Sequence, residues 1–135
     1  MTSSDRPENL QKRSIIDDRK LDYLFDRNIQ PDDHNSSRAE QNATQLRRLG
    51  FYDDLESRQA IDRHLQETVQ TDDNIIQQFT HQYRDRQTGE VGESETEVRD
   101  SLLAGRSGKF AQLHSSWQVL PKATRRFLSA ILYGR

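Results

Sequence analysis

The stretch FAQLHSSWQVL at residues 110–120 restricts the possible fold more than any other part of the chain. Small and apolar side chains occupy its odd positions from Ala111 to Val119, and polar side chains occupy the even positions between them. Successive side chains of a β-strand point to opposite faces of a sheet. The alternation therefore predicts a strand with one buried face and one polar face, the latter formed by Gln112, His114, Ser116 and Gln118.

The same stretch also fits a helix, because its apolar residues at positions 110, 113, 117 and 120 follow helical spacing. As a strand, it would lie between an earlier strand over 98–104 and a returning strand over 124–134, with turns at 106–109 and 120–123. As a helix, it would be followed by residues 125–133, which contain good helix formers. The local pattern favours neither interpretation over the other.

The first half of the chain carries apolar stripes at helical spacing, which predict helices in residues 15–25, 34–50 and 55–69. Ser37 and Glu40 have the spacing of a capping box at the start of the second helix, and Gly50 occupies the position of a left-handed C-terminal residue. We expect a short fourth helix from Asp72 through Phe79. Two glycines and mixed charges then predict an exposed loop over 84–97.

The length of 135 residues is suited to one domain. Only 31% of the residues are hydrophobic and the mean hydropathy is −1.06, so we expect a small core with mobile ends. Residues 1–14 are polar and predict a flexible N-terminal tail, and residues 15–135 form the single domain. We divide this domain into a helical part (15–83), a loop (84–97) and a basic part (98–135). No apolar run is long enough to span a membrane, and we expect no secretory signal, because the charged N-terminus contains no apolar stretch.

Positive charge is concentrated in the last quarter of the chain. Residues 99–135 contain seven basic residues and one acid, a net charge of +6, whereas residues 1–98 have a net charge of −8. A segregated basic block is typical of proteins that bind a polyanion. The alternative is that these cations decorate a surface and pair with the acidic helices. Nucleic-acid binding that weakens steeply with salt would distinguish the first possibility from the second.

The acidic pairs are better explained as helix caps than as metal ligands. Asp-Asp occurs four times, at positions 17–18, 32–33, 53–54 and 72–73, and each pair lies near a predicted helix start. Carboxylates at such positions accept hydrogen bonds from free backbone N–H groups. The chain has no cysteine for a thiolate site, and GRSGK at 105–109 lacks the glycine spacing of a nucleotide-binding loop. We therefore expect no metal and no cofactor.

The four histidines include one candidate for proton transfer. None has a second histidine at ligand spacing, so no zinc motif is present. His64 is expected on a helix surface or boundary, and His34 precedes a predicted helix start. His114 would lie on the polar strand face with Ser116, a few residues from Lys109, where an imidazole can act as acid or base. An ordinary solvated strand residue is the alternative for His114.

Four segments together resemble a known toxin module: KLDYLFDRN (20–28), HNSSRAEQNATQLRRLGFYD (34–53), DNIIQQF (73–79) and VRDSLLAGRSGKFAQLHSSWQV (98–119). Their order is similar to that of modules at the C-termini of bacterial polymorphic and contact-dependent-inhibition proteins, including haemagglutinin-type adhesins. The resemblance covers roughly residues 20–134. It implies an α+β fold with N-terminal helices packed on a small three- to four-stranded C-terminal antiparallel sheet, and so favours the sheet over 98–135.

Many modules of this kind resemble barnase or colicins and are metal-independent ribonucleases, so the resemblance implies an RNA substrate, with tRNA as one candidate. Cleavage would use the 2′-hydroxyl of the RNA as nucleophile and would need a base, an acid and cations beside the phosphate. The catalytic residues implied in this way are His114, His34, Lys109, Arg99 and Ser101. The implied RNA-binding residues are Lys109, Arg125, Arg126 and Ser116.

The resemblance also implies partners and a place of action. A toxin of this group would act in the cytoplasm and would be inhibited by an immunity protein, which we expect to be acidic and to cover the basic face. A descendant that binds RNA without cleaving it is one alternative. A second is a small helical, non-enzymatic interaction protein that uses an amphipathic contact formed by Leu128, Ile131, Leu132 and Tyr133. Trp117 shares a strand face with Leu113 and Val119, so we expect it in the core rather than stacked on a base.

Overall fold

The computed structural model describes residues 12–26 and 33–134, with side chains in the second range described from Ser37 onward. Three helices and five strands follow one another in the order β1 (Arg13–Ile15), α1 (Asp18–Leu24), α2 (Asp33–Arg48), α3 (Leu55–Thr68), β2 (Ile75–Arg84), β3 (Val91–Ala104), β4 (Phe110–Leu120) and β5 (Thr124–Gly134). The fold is therefore α+β, as expected, but with more strands than predicted.

All five strands form one sheet in the order β1-β5-β4-β3-β2. Strands β2 to β5 are antiparallel to their neighbours, whereas the short β1 runs parallel to β5 at one edge. The alternating segment is the central strand β4, so the strand interpretation is correct. The predicted turn at 120–123 joins β4 to β5 without glycine, and Lys122 and Ala123 adopt positive φ angles of 60° and 56°.

The helices pack against one face of this sheet, which we call the covered face. Its strand residues join the apolar residues of the three helices in a single core: Leu103, Ala111, Leu113, Trp117, Phe127, Ala130 and Leu132. Trp117 is completely buried and its ring centroid lies 5.3 Å from that of Phe127. Trp117 is therefore a core residue, as predicted. Burying a side chain of this size contributes about 2–3 kcal/mol relative to leaving it exposed.

Acidic caps and close backbone contacts set the positions of the helices. The Asp17 and Asp54 side chains accept hydrogen bonds from the backbone N–H groups of Arg19 and Ser57 at the starts of α1 and α3. The Arg19 side chain, followed by this backbone bond, lowers the pKa of Asp17, and the backbone bond from Ser57 is the first cause of the lowered pKa of Asp54. Gly50 ends α2 at a φ of 87°, as predicted, because a left-handed residue lets the chain leave the helix there.

A buried asparagine joins α2 to the sheet. The Asn42 side chain donates to the Ala130 carbonyl (3.0 Å) and accepts from the Leu132 N–H (2.9 Å), so both of its polar ends are satisfied on β5. The nearby Gln41 donates to the Leu132 carbonyl at 2.7 Å. These bonds fix the helix across the strand at a point where water is excluded.

Three sequence predictions are wrong: those for the segment of β2, for the start of β3 and for the start of α2. Residues 75–84 form strand β2 instead of a fourth helix, and β3 begins at Val91, inside the predicted loop over 84–97. Little of either face is buried in β2 and in the first part of β3, so the hydrophobic pattern of both segments is weak. Helix α2 begins at Asp33, which places Ser37 and Glu40 inside the helix instead of in a capping box.

Two further predictions change near the ends of the chain. Arg13–Ile15 form strand β1 beside β5. This strand takes up the end of the predicted tail (1–14) and the start of the predicted helix (15–25), so the helix begins only at Asp18. Residues 1–11 lie outside the described part. The segment of Leu128, Ile131, Leu132 and Tyr133 lies in strand β5, which excludes the amphipathic helix of the alternative interpretation. Within the part of the chain that the structure describes, no helix combines the length and apolar character that crossing a bilayer requires.

Candidate active site

The face opposite the helices, which we call the open face, carries a histidine–carboxylate pair. Asp100 on β3 and His114 on β4 are directly opposite each other in the strand register. The His114 Nε2 atom lies 3.2 Å from Asp100 Oδ1, and the two side chains are 30% and 39% exposed. Gln112, two residues before His114 on the same face, donates a 2.9 Å hydrogen bond to the same carboxylate oxygen. The carboxylate is thus held by two neighbours on β4.

Tyr133 borders this pair from the next strand. Its ring centroid lies 5.2 Å from that of His114 in an edge-on arrangement, and its side chain is 39% exposed. A carboxylate that binds one ring nitrogen fixes the orientation of an imidazole and stabilises its protonated form. The other ring nitrogen of His114 then remains for a bound molecule. The arrangement can take up or release a proton at a solvent-accessible position.

Ser116 and Arg126 lie farther along the open face. Ser116 follows His114 by two residues and pairs with Ser129 on β5. Arg126 is exposed, and its Nη1 atom lies 3.4 Å from the Gln118 side-chain oxygen. The structure therefore places two of the four predicted RNA-binding residues on the same face as His114.

Arg99 cannot contact a phosphate in this fold, contrary to the sequence prediction. Its side chain is completely buried on the covered face, where Nε donates to Glu97 Oε1 at 2.8 Å. The two Nη atoms donate to the Asn74 and Asp72 side chains (2.8 and 3.1 Å) and to the carbonyl groups of Thr68 and Thr71. With every guanidinium nitrogen engaged, Arg99 has a structural role.

Arg125 belongs to the same buried network, so it is not a free RNA-binding residue. Its Nε atom donates to Glu97 Oε1 at 2.9 Å, and its side chain is only 14% exposed. At the rim of the network, Asp72 accepts from Arg99 and from Lys12, whose Nζ atom is 3.1 Å away. Burial raises the pKa of Asp72, but the hydrogen bonds from Lys12 and Arg99 outweigh it and the pKa is lowered.

Ser101 also points to the covered face and away from His114. Its Oγ atom lies 2.9 Å from Nε2 of His64 on α3, and it donates to the Leu113 carbonyl at 3.4 Å. Burial lowers the pKa of His64, with a smaller opposing effect from Glu67. Ser101 and His64 therefore form a half-buried contact between helix and sheet, and the sheet itself separates Ser101 from His114.

The remaining predicted site residues lie at the sheet end or outside the described side chains. Lys109 is exposed in the turn between β3 and β4. His34 lies in the first turn of α2, but its side chain is among those that the structure does not describe. The predicted cations are thus distributed over the covered face, the open face and the turns. The prediction of one continuous basic sheet face is wrong, because consecutive strand residues point to opposite sides.

Asp100, Gln112 and Tyr133 were not among the sequence-predicted site residues. The signal that could have identified them is the strand register, since a hairpin turn fixes which residues of β3 and β4 face each other. Among the described residues, no three histidine or acidic side chains lie close enough together to hold a metal ion.

The chain is similar to one chain of a solved contact-dependent growth inhibition toxin–immunity protein complex from Klebsiella pneumoniae 342. The two chains share 27% sequence identity and a TM-score of 0.71, and the match covers 90% of this chain and 95% of that one. No protein-family model and no curated protein sequence matches the chain. The similarity relates this chain to one component of such a complex, either the toxin or the immunity protein.

Proposed function

We propose that the chain is the toxin component of a contact-dependent growth inhibition pair and that it cleaves RNA at the His114–Asp100 pair. The observation that carries this proposal is an oriented, accessible imidazole on the open face of a fold similar to one in a toxin–immunity complex. An immunity protein needs a surface complementary to its toxin but no proton-transfer pair. A toxin that cleaves a covalent bond needs one.

In the proposed reaction the RNA supplies its own nucleophile. His114 accepts the proton of a 2′-hydroxyl while the 2′-oxygen forms a bond to phosphorus. The bond from phosphorus to the 5′-oxygen then breaks, leaving a 2′,3′-cyclic phosphate on one fragment and a 5′-hydroxyl on the other. The leaving oxygen takes a proton, for which the Tyr133 hydroxyl is our candidate donor, and solvent restores both side chains.

Asp100 and Gln112 are positioning residues in this scheme. The 3.2 Å contact between Asp100 and His114 keeps one ring nitrogen occupied, and the 2.9 Å hydrogen bond from Gln112 keeps the carboxylate in place. The carboxylate also stabilises the imidazolium formed when His114 takes the proton. Arg126 and Ser116, on the same face, are the residues from the original RNA-binding set that we retain for contacts along the strand.

The partners follow from this function. The substrate is RNA, with tRNA as the first candidate, and the reaction would take place in the cytoplasm, where that RNA is found. An immunity protein that covers the open face would exclude RNA from His114. We expect that protein to be acidic, because the cations left free near this face would favour a negatively charged partner.

The test is cleavage of total tRNA by the purified chain in the presence of EDTA. We expect cleavage without added metal, and we expect His114→Ala to reduce kcat by about 10²- to 10⁴-fold, the usual contribution of a general acid or base. Asp100→Asn should lower kcat with little change in KM, because it alters the orientation of the imidazole and not RNA binding. His81→Ala is the matched control, since His81 is an exposed histidine on the edge strand β2.

Two results would contradict the proposal. The first is an absence of cleavage by the unaltered chain while its expression still arrests growth. The second is a His114→Ala variant that cleaves as fast as the His81→Ala control.

A further inference from the structure

A cluster of basic residues forms where the β3–β4 turn meets the C-terminal end of α2. The Ser107 N–H donates to the Leu49 carbonyl (3.1 Å), and the Ser107 hydroxyl donates to the Arg48 carbonyl (2.9 Å). At Gly105 a Cβ atom would lie only 2.5 Å from the Leu49 Cβ, so the turn approaches the helix more closely than any other residue would allow. This contact brings Arg48 next to Lys109, although the sequence separates them by about 60 positions.

These two cations line an open cleft together with two exposed apolar side chains. The cleft has a volume of about 510 Å³ and is bounded by Arg48, Leu102, Lys109 and Phe110. Leu102 and Phe110 are 48% and 46% exposed, so both side chains present apolar surface next to the two cations. An exposed aromatic ring between two positive charges can stack on a nucleic-acid base while the charges bind its phosphate.

The two cations differ in how firmly they are held. Arg48 is half-buried, and its guanidinium donates to the Gln45 side chain at 2.8 Å and to the Phe110 carbonyl. Among the residues that the structure describes, no carboxylate pairs with Lys109. The neighbouring Arg106 lies 3.7 Å from Glu56 and stacks on the Phe51 ring, so we assign it no phosphate.

The cleft lies at the end of the open face, where the β3–β4 turn meets α2, and its strand residues are in line with the His114–Asp100 pair. Phe110, Gln112 and His114 alternate along β4 and point to the same side, and Leu102 pairs with Gln112 across the β3–β4 register. At a strand rise of about 3.3 Å per residue, Phe110 is roughly 13 Å from His114. An RNA strand that places a phosphate at His114 can therefore continue along β4 into the cleft.

We propose that this cleft is a nucleotide-binding subsite: Phe110 and Leu102 contact one base of the RNA strand, and Lys109 and Arg48 bind the adjoining phosphate. This proposal rests on the proposed function, because it assumes that the RNA strand bound in the cleft is the one cleaved at His114. The charge of the cleft selects an anion, and the exposed ring selects an anion that also carries a planar base. A single-stranded segment fits this requirement, because its bases are free to unstack onto protein side chains.

Binding of a labelled single-stranded RNA, measured by fluorescence anisotropy, tests the subsite without cleavage. The measurements use His114→Ala as the background, so that the probe stays intact. Phe110→Ala should weaken binding about tenfold, within the range for loss of one stacked base, and Phe110→Trp should restore it. The Tyr83→Ala variant is the matched control, because Tyr83 is 54% exposed on β2 at the other end of the sheet.

The charge of the cleft has a separate signature. Lys109→Ala should reduce the slope of log affinity against log salt by about 0.7, the contribution of one phosphate contact to a single strand. Arg86→Ala, an exposed cation at the β2–β3 turn, should leave the slope unchanged. With a probe whose bases have been removed, the Phe110→Ala effect should disappear and the Lys109→Ala effect should persist.

The outcomes separate the subsite from the proposed function. If the unaltered chain cleaves tRNA but the Phe110 and Lys109 variants bind like their controls, the subsite is wrong and the function stands. If the chain does not cleave RNA, and the Phe110 and Lys109 variants still weaken binding as described, the subsite is supported and the protein binds RNA without cleaving it. If Phe110→Ala weakens binding of the baseless probe as much as binding of the intact RNA, Phe110 does not stack on a base and acts through folding instead. That result would overturn the proposal.

Discussion

Arg99 and Asp100 are consecutive residues of β3, yet they meet opposite surroundings. Arg99 points to the covered face, where it is completely buried and bound to Glu97, Asp72 and Asn74. Asp100 points to the open face, where it pairs with His114 and remains 39% exposed. On the covered face, the charged groups are committed to holding the fold together. On the open face, they remain accessible to solvent.

This difference explains why the net charge of a segment is a poor guide to its binding surface. The C-terminal basic block includes Arg99 and Arg125, whose charges are offset by Glu97 and Asp72 within the fold. The cleft instead uses Arg48, which belongs to the acidic N-terminal part of the sequence. The surface charge is therefore set by which side of each strand a residue occupies and by which turn meets which helix.

The largest effect is expected from removing the buried guanidinium. Arg99→Ala should lower the free energy of unfolding by about 3–5 kcal/mol, because Glu97 keeps a buried charge with only Arg125 as its partner. Arg126→Ala, which changes the same residue type on the open face, should change the free energy by less than about 0.5 kcal/mol. Urea denaturation of both variants measures the contrast.

Equal effects of these two substitutions would contradict the distinction between the faces. If Arg99→Ala does not yield folded protein, Asp72→Asn provides a milder test of the same network. It removes a charge from the rim and keeps a polar group that can still accept from Arg99, so it should destabilise less than Arg99→Ala and more than Arg126→Ala.

A medium effect is expected where α2 is tied to β5. Asn42→Ala should cost about 2–3 kcal/mol of stability, since it leaves the Ala130 carbonyl and the Leu132 N–H buried without partners. Gln41→Ala removes one hydrogen bond from a more exposed neighbour and should cost about 0.5–1.5 kcal/mol. Thermal denaturation should give the Asn42 variant a clearly lower melting temperature than the Gln41 variant. The reverse order would show that the two buried hydrogen bonds of Asn42 are not needed for stability.

The smallest effect is expected from pH. Burial lowers the pKa of His64, so the unfolded chain binds this proton more readily than the folded chain does. The stabilising contribution is complete above the unfolded pKa of about 6.5 and is lost as the pH falls below it, by at most about 1.4 kcal/mol per pH unit. His64→Gln should flatten the stability profile between about pH 7 and pH 5, measured by urea titrations. A profile that His64→Gln does not alter would contradict the assignment.

Much of the framework could be predicted from the sequence. The stripes ending at Gly50 and Val69 predicted helices α2 and α3. The alternation around Trp117 was compatible with a strand and with a helix, and the resemblance to the toxin module favoured the strand. Strand β2 could not be found in this way, because its residues are half-buried or exposed on both faces and show no period of two. The start of β3 was missed for a related reason, since its buried positions include Thr96, Glu97 and Arg99, which a hydrophobic pattern interprets as surface.

The sequence by itself determined a small core, two of the helices, and an alternating segment that places His114 on a polar face if it forms a strand. Only the tertiary structure decided that His114 faces Asp100, because a shift of one residue in the β3–β4 register would turn the whole strand over. It also decided that Arg48 and Lys109 line the same cleft and that the Arg99 side chain is buried. Pairing across strands and contact between distant turns depend on the complete packing arrangement, which no local pattern of residues records.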